Sequence, residues 1–434
     1  MISRLSRLAL PLLLAVMLTQ RLSAHFLFVH VVRGAEPRIE LHFAESAWDF
    51  SLSSSMVDIL ERVKARLPGG EALVFERRPF GMVAKLAPDQ VAAAASLTYG
   101  IMARGGDPFL LEYHAKGVVG VANAAAPVGL GCEVLAEEAS PGRLTITVLF
   151  GGKPAAGAEV VVPLEGMITE KVVTNSGGQV VIATPATQLF SVRAMVAEER
   201  EGERDGKQYS LAKHYTTLTV HPSSVPSNCD GIAWAVLQDA ASCCGAFVPA
   251  DRRWSAKWRV MGDASGAGQL TAEGTRVRAV NDGDQLGAAR DQIRLLGCFA
   301  DPTLLNGAVV RLASDRGATA AAHVEVPALQ VSFTIRDRHI ETIHRASDAG
   351  SERVDVISWK MTHDERVLPR HLVVTTFGDD GRLLQTTMME RNYKEMEVGY
   401  VLDRQDCKSV SGPARATRSS LRISEIESQD AGVR

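Results

Sequence analysis

Short period-two runs separated by turn residues set the terms for this chain. Arg143-Leu-Thr-Ile-Thr-Val-Leu-Phe150 alternates strictly, turns at Gly151-Gly152-Lys153-Pro154 and returns through Ala158–Pro163. Side chains on a strand point alternately to its two faces, so this pattern suits a half-buried sheet and not a helix. Similar runs recur at His25–Arg33, Pro37–Ala44, Gly81–Leu86, Ser96–Ala103, Phe109–Ala115, Gln179–Thr184 and Tyr215–Val220, and again as a long meander from His323 to Tyr393. Helical spacing is confined to Met56–Leu67, capped by Ser55 and stopped at Pro68-Gly69-Gly70, to Ile232–Ala241 and to Gln285–Leu296. The expected class is mainly β with an α+β C-terminal domain: two β-sandwich (Ig-like or prealbumin-like) units, then a curved antiparallel sheet with covering helices.

Punctuation along the chain predicts the domains. Residues 1–24 read as a signal peptide, 25–130 as a β-sandwich-like domain with an inserted helix, and 131–221 as an Ig-like or prealbumin-like sandwich. The proline-stiffened stretch 222–230 is a linker, 231–410 an α+β antiparallel-sheet domain and 411–434 a polar tail. The apolar stretch Val118–Gly131 reads as a connector, and the charged run Glu198–Lys207 as a solvated loop or hairpin tip.

Arg4 and Arg7 precede an apolar run, Leu8–Leu18, that ends before the small residues Ser23-Ala24. The run is shorter than the roughly 20 residues of a spanning helix and has the order of a secretory signal. The expectation is a periplasmic or secreted protein whose exported chain begins at His25, with no membrane span in the mature chain.

A formal net charge of −3 gives no electrostatic case for nucleic acid. The six cysteines include no CxxC pair, so neither a zinc ribbon nor a thioredoxin-type centre is signalled, and the expectation is buried fillers with one or two bridges. No GxSxG, P-loop, dinucleotide fingerprint or HExxH occurs, which points away from an enzyme. His363, Asp364 and Glu365 cluster at an evident turn and read as solvated.

Three blocks carry a resemblance: Ala24-His25-Phe26-Leu27-Phe28-Val29, Pro108-Phe-Leu-Leu-Glu-Tyr-His-Ala-Lys116, and Val148–Val162 closing with His214-Tyr-Thr-Thr-Leu-Thr-Val220. In that order they resemble the nickel-uptake-associated periplasmic domain family, an exported bacterial family of unknown function. Residues 228 to about 410, through Trp254-x-x-x-Trp258 and Phe333–Arg345, resemble a second uncharacterised bacterial family. The first resemblance implies a metal-binding accessory of uptake; the second brings no activity.

A free N-terminal histidine offers its amine and its imidazole to one ion, a chelate that suits nickel or copper. His25 is therefore the expected centre of a metal site. His114 and His214, from the blocks that carry the resemblance, are its expected partners, with His42 a weaker fourth. His25 and His30 fall on opposite faces of a regular strand and are not expected to share an ion. The alternative is an envelope carrier or interaction protein, holding a small apolar ligand or a protein partner on the C-terminal sheet.

Overall fold

The computed structural model describes residues 25–48, 54–78, 81–103, 106–163, 169–185, 187–243, 252–262, 266–273, 276–280, 307–313, 321–336, 339–347, 350–362, 367–396, 399–411 and 415–430. The expected signal peptide, the expected helix Gln285–Leu296 and the His363-Asp364-Glu365 turn lie outside the described residues. The protein is mainly β, as its alternating runs predict.

The first half is built in three layers. A central seven-stranded sheet runs in the order Thr169–Val173, Glu159–Pro163, Phe190–Arg204, Lys207–His221, Phe109–Val119, Ala92–Met102, Lys64–Arg66. Its pairings are antiparallel except that Lys207–His221 runs parallel to Phe109–Val119. This sheet takes strands from both sides of the boundary expected at 130/131. One four-stranded sheet, Phe26–Val32, Arg38–Ala44, Gly81–Lys85 and Glu76–Arg78, covers one face. The other face is covered by Cys132–Ser140, Arg143–Phe150, Lys153–Pro154 and Gln179–Ala183.

Period-two alternation sorts the central strands between two cores. Ala93, Ala95, Leu97, Leu111, Tyr113 and Ala115 face the first, with Phe26, Phe28 and Phe43. Ala92, Val118, Val192, Leu218 and Val220 face the second, with Ile146 and Val148. The layers approach closely at Gly117, where an added Cβ would lie 2.3 Å from the carbonyl oxygen of Val29. The helix expected at Met56–Leu67 is shorter, Ser54–Leu60, and Lys64–Arg66 goes instead to the edge of the central sheet.

The connector after Val119 is pinned by a buried ion pair. Lys116, fully buried, donates from Nζ to the carbonyls of Ala124 (2.9 Å) and Ala126 (2.6 Å) and lies 3.2 Å from Glu133 Oε1. The Glu133 carboxylate accepts the backbone N–H groups of Val128, Gly129 and Leu130 at 2.7, 3.0 and 3.2 Å. A segment too apolar and too short of alternation to form a strand is thus held by two side chains from the strands on either side of it.

Among the described residues the second half forms one twelve-stranded antiparallel sheet, running from Arg276–Val280 to Val309–Leu312. Helix Gly231–Cys243, capped by Asp230 Oδ1 on the N–H groups of Ile232 and Ala233, packs on one face of the sheet. Val32 joins that core from the first half, and Arg38 pairs with Asp230 at 2.7 Å. Gly34, at φ +105°, sits so close to Cys229 O that a Cβ there would lie 1.9 Å from it. Residues 411–434, expected as a polar tail with a possible strand at Leu421–Ile426, hold a longer one: Arg415–Asp430 is a strand inside the sheet, between Gly399–Ser411 and Arg252–Gly262. Its composition is polar because one face is open to solvent, while Leu421 and Ile423 on the other are buried.

Cys132, Cys229 and Cys407 are free thiols, so the expected bridging does not involve these three. Burial pushes the Cys132 thiol up to about 12, which leaves it unreactive.

Candidate metal centre

The register of the central sheet assembles a histidine–carboxylate group on the face of the second core. Parallel pairing sets His214 opposite Glu112, and Thr216 opposite His114. Residues i and i+2 of a strand share a face, so Glu112 and His114 point the same way, as does His214 beside them. Glu198 reaches the group from the neighbouring antiparallel strand, two residues beyond Val196, the partner of His214.

Both nitrogens of His214 face a carboxylate. Nε2 lies 3.1 Å from Glu198 Oε2 and Nδ1 lies 3.2 Å from Glu112 Oε2. His114 Nε2 is 3.4 Å from the same Nδ1, long for a hydrogen bond. Both carboxylates only accept, so an imidazole that donates one N–H satisfies one of them and turns its lone pair to the other. With the N–H donated from Nε2 to Glu198, the Nδ1 lone pair faces both a carboxylate oxygen and a second imidazole. A metal ion at Nδ1 would relieve the contact with Glu112 and would also engage His114.

Glu112, His114 and His214 each offer one ligand atom, all within 4.8 Å of one another. Bonds of about 2.0–2.1 Å at a near-tetrahedral angle place ligand atoms roughly 3.3 Å apart. Two of the three separations, 3.2 and 3.4 Å, fall near that spacing, and all three are within 4.8 Å. Right-angled neighbours in a square-planar site would be closer, at about 2.9 Å for the same bond lengths.

Burial gives the group its character. His214 is 4% exposed, and Phe150 lies against it with ring centroids 4.8 Å apart. Desolvation, then the neighbouring His214, push His114 down to about 4, so its imidazole is neutral and ready to donate a lone pair at neutral pH. His114 Nδ1 is buried without a hydrogen-bond partner, so ligation through Nε2 would leave an unpaired N–H at that position. Thr98 Oγ1 donates to Glu112 Oε1 at 3.3 Å and steadies the carboxylate.

The structure brings His114 and His214 together but not His25. Ring stacking places His25 6.2 Å from Phe43, which packs on Tyr99 and Tyr113 in the first core. Tyr113 and His114 are consecutive on a strand and face opposite ways, so the central sheet lies between His25 and the pair. His42 belongs to a second histidine group. His30 Nδ1 and His221 Nε2 are 3.1 Å apart, and His42 Nε2 meets Glu40 Oε2 at 2.8 Å. All four side chains are buried, and burial pushes His221 down to about 3. Among the described residues, Glu112, His114 and His214 form the group whose ligand atoms converge tightly enough for one ion.

Glu112, Glu198 and Arg200 are functional candidates that sequence reasoning passed over. The signal for Glu112 was its i, i+2 spacing to His114 on a strand. Glu198 and Arg200 lay in a charged run with nothing to distinguish them from a solvated turn. The run forms the end of a hairpin, the second of the two forms expected for it, with both residues on the arm Phe190–Arg204.

Comparison with known proteins adds little. No family model matches the sequence, and no curated protein matches it. Among solved structures, a LolA superfamily protein from Nitrosomonas europaea is similar at 11% identity, over 45% of this chain and 92% of that one, with a TM-score of 0.19. The FN1–FN3 domains of chicken CNTN1 match at 9% identity, over 72% of this chain and 95% of theirs, with a TM-score of 0.12. A Ca2+-stabilized adhesin of an Antarctic bacterium matches at 11% identity, over 92% and 99% of the two chains, with a TM-score of 0.13. At such TM-scores these likenesses carry no functional weight, and the site rests on its own geometry.

Proposed function

We propose that this is an exported metal-binding protein, an accessory of metal uptake in the periplasm, that holds one first-row divalent ion through Glu112, His114 and His214. The observation that carries this reading is His214 Nδ1, which lies 3.2 Å from Glu112 Oε2 and 3.4 Å from His114 Nε2. Glu198 is the outer carboxylate that fixes the His214 tautomer, the usual partner of a metal-bound imidazole. The near-tetrahedral spacing suits zinc first, with copper and nickel, the ions expected from the sequence, as competitors.

Calorimetric titration of the chain beginning at His25 with zinc, copper(II) and nickel tests the reading. One-to-one binding is expected. His114→Ala and His214→Ala should abolish it, and Glu198→Gln should weaken it about 10–100-fold. An added N-terminal glycine should leave it unchanged, because His25 lies across the central sheet. Binding that survives loss of His214 but not the glycine would move the site to the N-terminus and overturn this assignment.

One observation favours a second activity, that of a carrier. The twelve-stranded sheet bears an open groove of about 700 Å³ lined by Met261, Ile357, Val373 and Met388, with His371, Glu390, Lys408 and Arg418 among its polar residues. Ile357 and Met388 are 64% and 60% exposed, unusual for large apolar side chains on a sheet. If the groove holds an apolar ligand, Met388→Glu should abolish binding of a fluorescent fatty-acid analogue and leave metal binding intact. Equal probe binding by both forms would remove the carrier reading.

A further inference from the structure

The cluster already holds one cation, a guanidinium. Arg200 Nη2 lies 3.2 Å from Glu112 Oε2, and its Nη1 lies 3.1 Å from Glu198 Oε2. These are the same two oxygens that face His214. One guanidinium therefore pairs with both carboxylates, offsetting one of their two charges, and competes directly for the Glu112 oxygen that an ion would take.

The position of Arg200 suits a group that moves. It stands where the register of its hairpin shifts, between Glu199 and Gly202, and its side chain is 36% exposed, against 5% for His214. His114 and His214 approach the cluster from the sheet; Arg200 approaches it from the solvent side, along the arm that carries Glu198. An arginine side chain has several free rotors and a guanidinium that needs no partner once in water. A divalent ion beside Glu112 would repel it across a few ångströms.

Resting on the metal reading above, we infer that Arg200 is a displaceable guard: it occupies the place that a bound ion would take, and metal binding drives it into solvent. Its pairs with Glu112 and Glu198 are what an incoming ion must break. The guard sets the affinity of the site low enough for the ion to be released, and it keeps two acidic groups from attracting abundant, weakly ligating cations when no transition ion is present.

The experiment uses the chain beginning at His25, with zinc as the probe because it is diamagnetic. Arg200→Met should bind zinc about tenfold more tightly than the unaltered protein, the scale of two partly exposed ion pairs that no longer need breaking. Arg204→Met, which removes an arginine on the same strand that pairs with Asp205, should leave affinity within about twofold, because its charge is exposed and screened. The Arg200 Nε–H resonance, identified by its absence from the Arg200→Met spectrum, should move to the position of solvated arginine as zinc saturates the site. Binding by Arg200→Met that is equal to or weaker than that of the unaltered protein would make Arg200 a brace for the two carboxylates and overturn the guard. So would an Arg200 resonance that zinc leaves in place. Failure of both proteins to bind zinc, copper(II) or nickel would instead remove the metal reading, and the guard with it.

Discussion

Methionine at position 116 should lower the unfolding free energy by about 3–5 kcal/mol, the usual cost of removing one partner from a buried ion pair. The substitution keeps much of the apolar stem, so the loss falls on the polar end. The Ala124 and Ala126 carbonyls lose the ammonium donor, but Ala124 keeps the Ala136 N–H at 3.4 Å and Ala126 is exposed to water, so the cost falls chiefly on the Glu133 charge left without its cation. Glu133 would keep three backbone N–H donors, so the anion left behind remains partly stabilised. Glu133→Ala should be at least as damaging, because it strands those three donors and the Lys116 ammonium together. Urea midpoints of the two single variants and the double variant measure this. The double variant should cost at least 1 kcal/mol less than the sum of the singles, because each change removes the other's stranded charge. Additive losses, or a single-variant cost below about 1 kcal/mol, would mean that water solvates the pair and that the connector is not pinned by it.

That connector shows where sequence reasoning stopped. Strand runs such as Arg143–Phe150 were legible because alternation is a local consequence of having one buried face. Which sheet a strand joins depends on contacts distant in sequence. The parallel pairing of Lys207–His221 with Phe109–Val119 binds the two expected sandwiches through one sheet, and no local pattern marks it. Of the strand Arg415–Asp430 only Leu421–Ile426 was legible, because only Leu421 and Ile423 advertise its buried face among many Ser and Arg residues.

The site divides in the same way. His114 and His214 stood out as histidines on strands, and the sheet register places them side by side. His25 stood out because of chain-end chemistry, which says nothing of where the fold puts it. Glu112 was readable in principle, two residues before His114. Glu198 and Arg200 were not, because a charged hairpin arm looks identical whether it faces water or a neighbouring strand's histidine. Charge in the sequence identifies the candidates, and register decides which of them meet.

Stability should fall as pH rises from about 4 to 7 through one group, Asp239, and Asp239→Asn should abolish that dependence. Asp239 lies in the last turns of helix Gly231–Cys243, 1% exposed, and its Oδ1 accepts the backbone N–H of Gln188 at 2.7 Å. Burial pushes its carboxyl up to about 7 from an ordinary 3.8, against the opposing pull of that hydrogen bond. Between those values the folded protein retains a proton that the unfolded chain has released. The unfolded state therefore binds fewer protons, and stability declines with rising pH across the window. Three units at ~1.4 kcal/mol each make this an effect of a few kcal/mol. Asparagine is neutral throughout and keeps a carbonyl oxygen for Gln188, so near pH 4 the two proteins should unfold alike, and at pH 8 the variant should be more stable. His114 and His221, both pushed down by burial, contribute with the opposite sign, adding stability as pH rises toward 6.5. Their contribution is common to both proteins and cancels in the difference between the two urea-midpoint profiles. That difference should open between about pH 4 and 7 and stay constant above; parallel profiles would show that Asp239 ionises in the folded protein at no cost, with water reaching it beneath the helix.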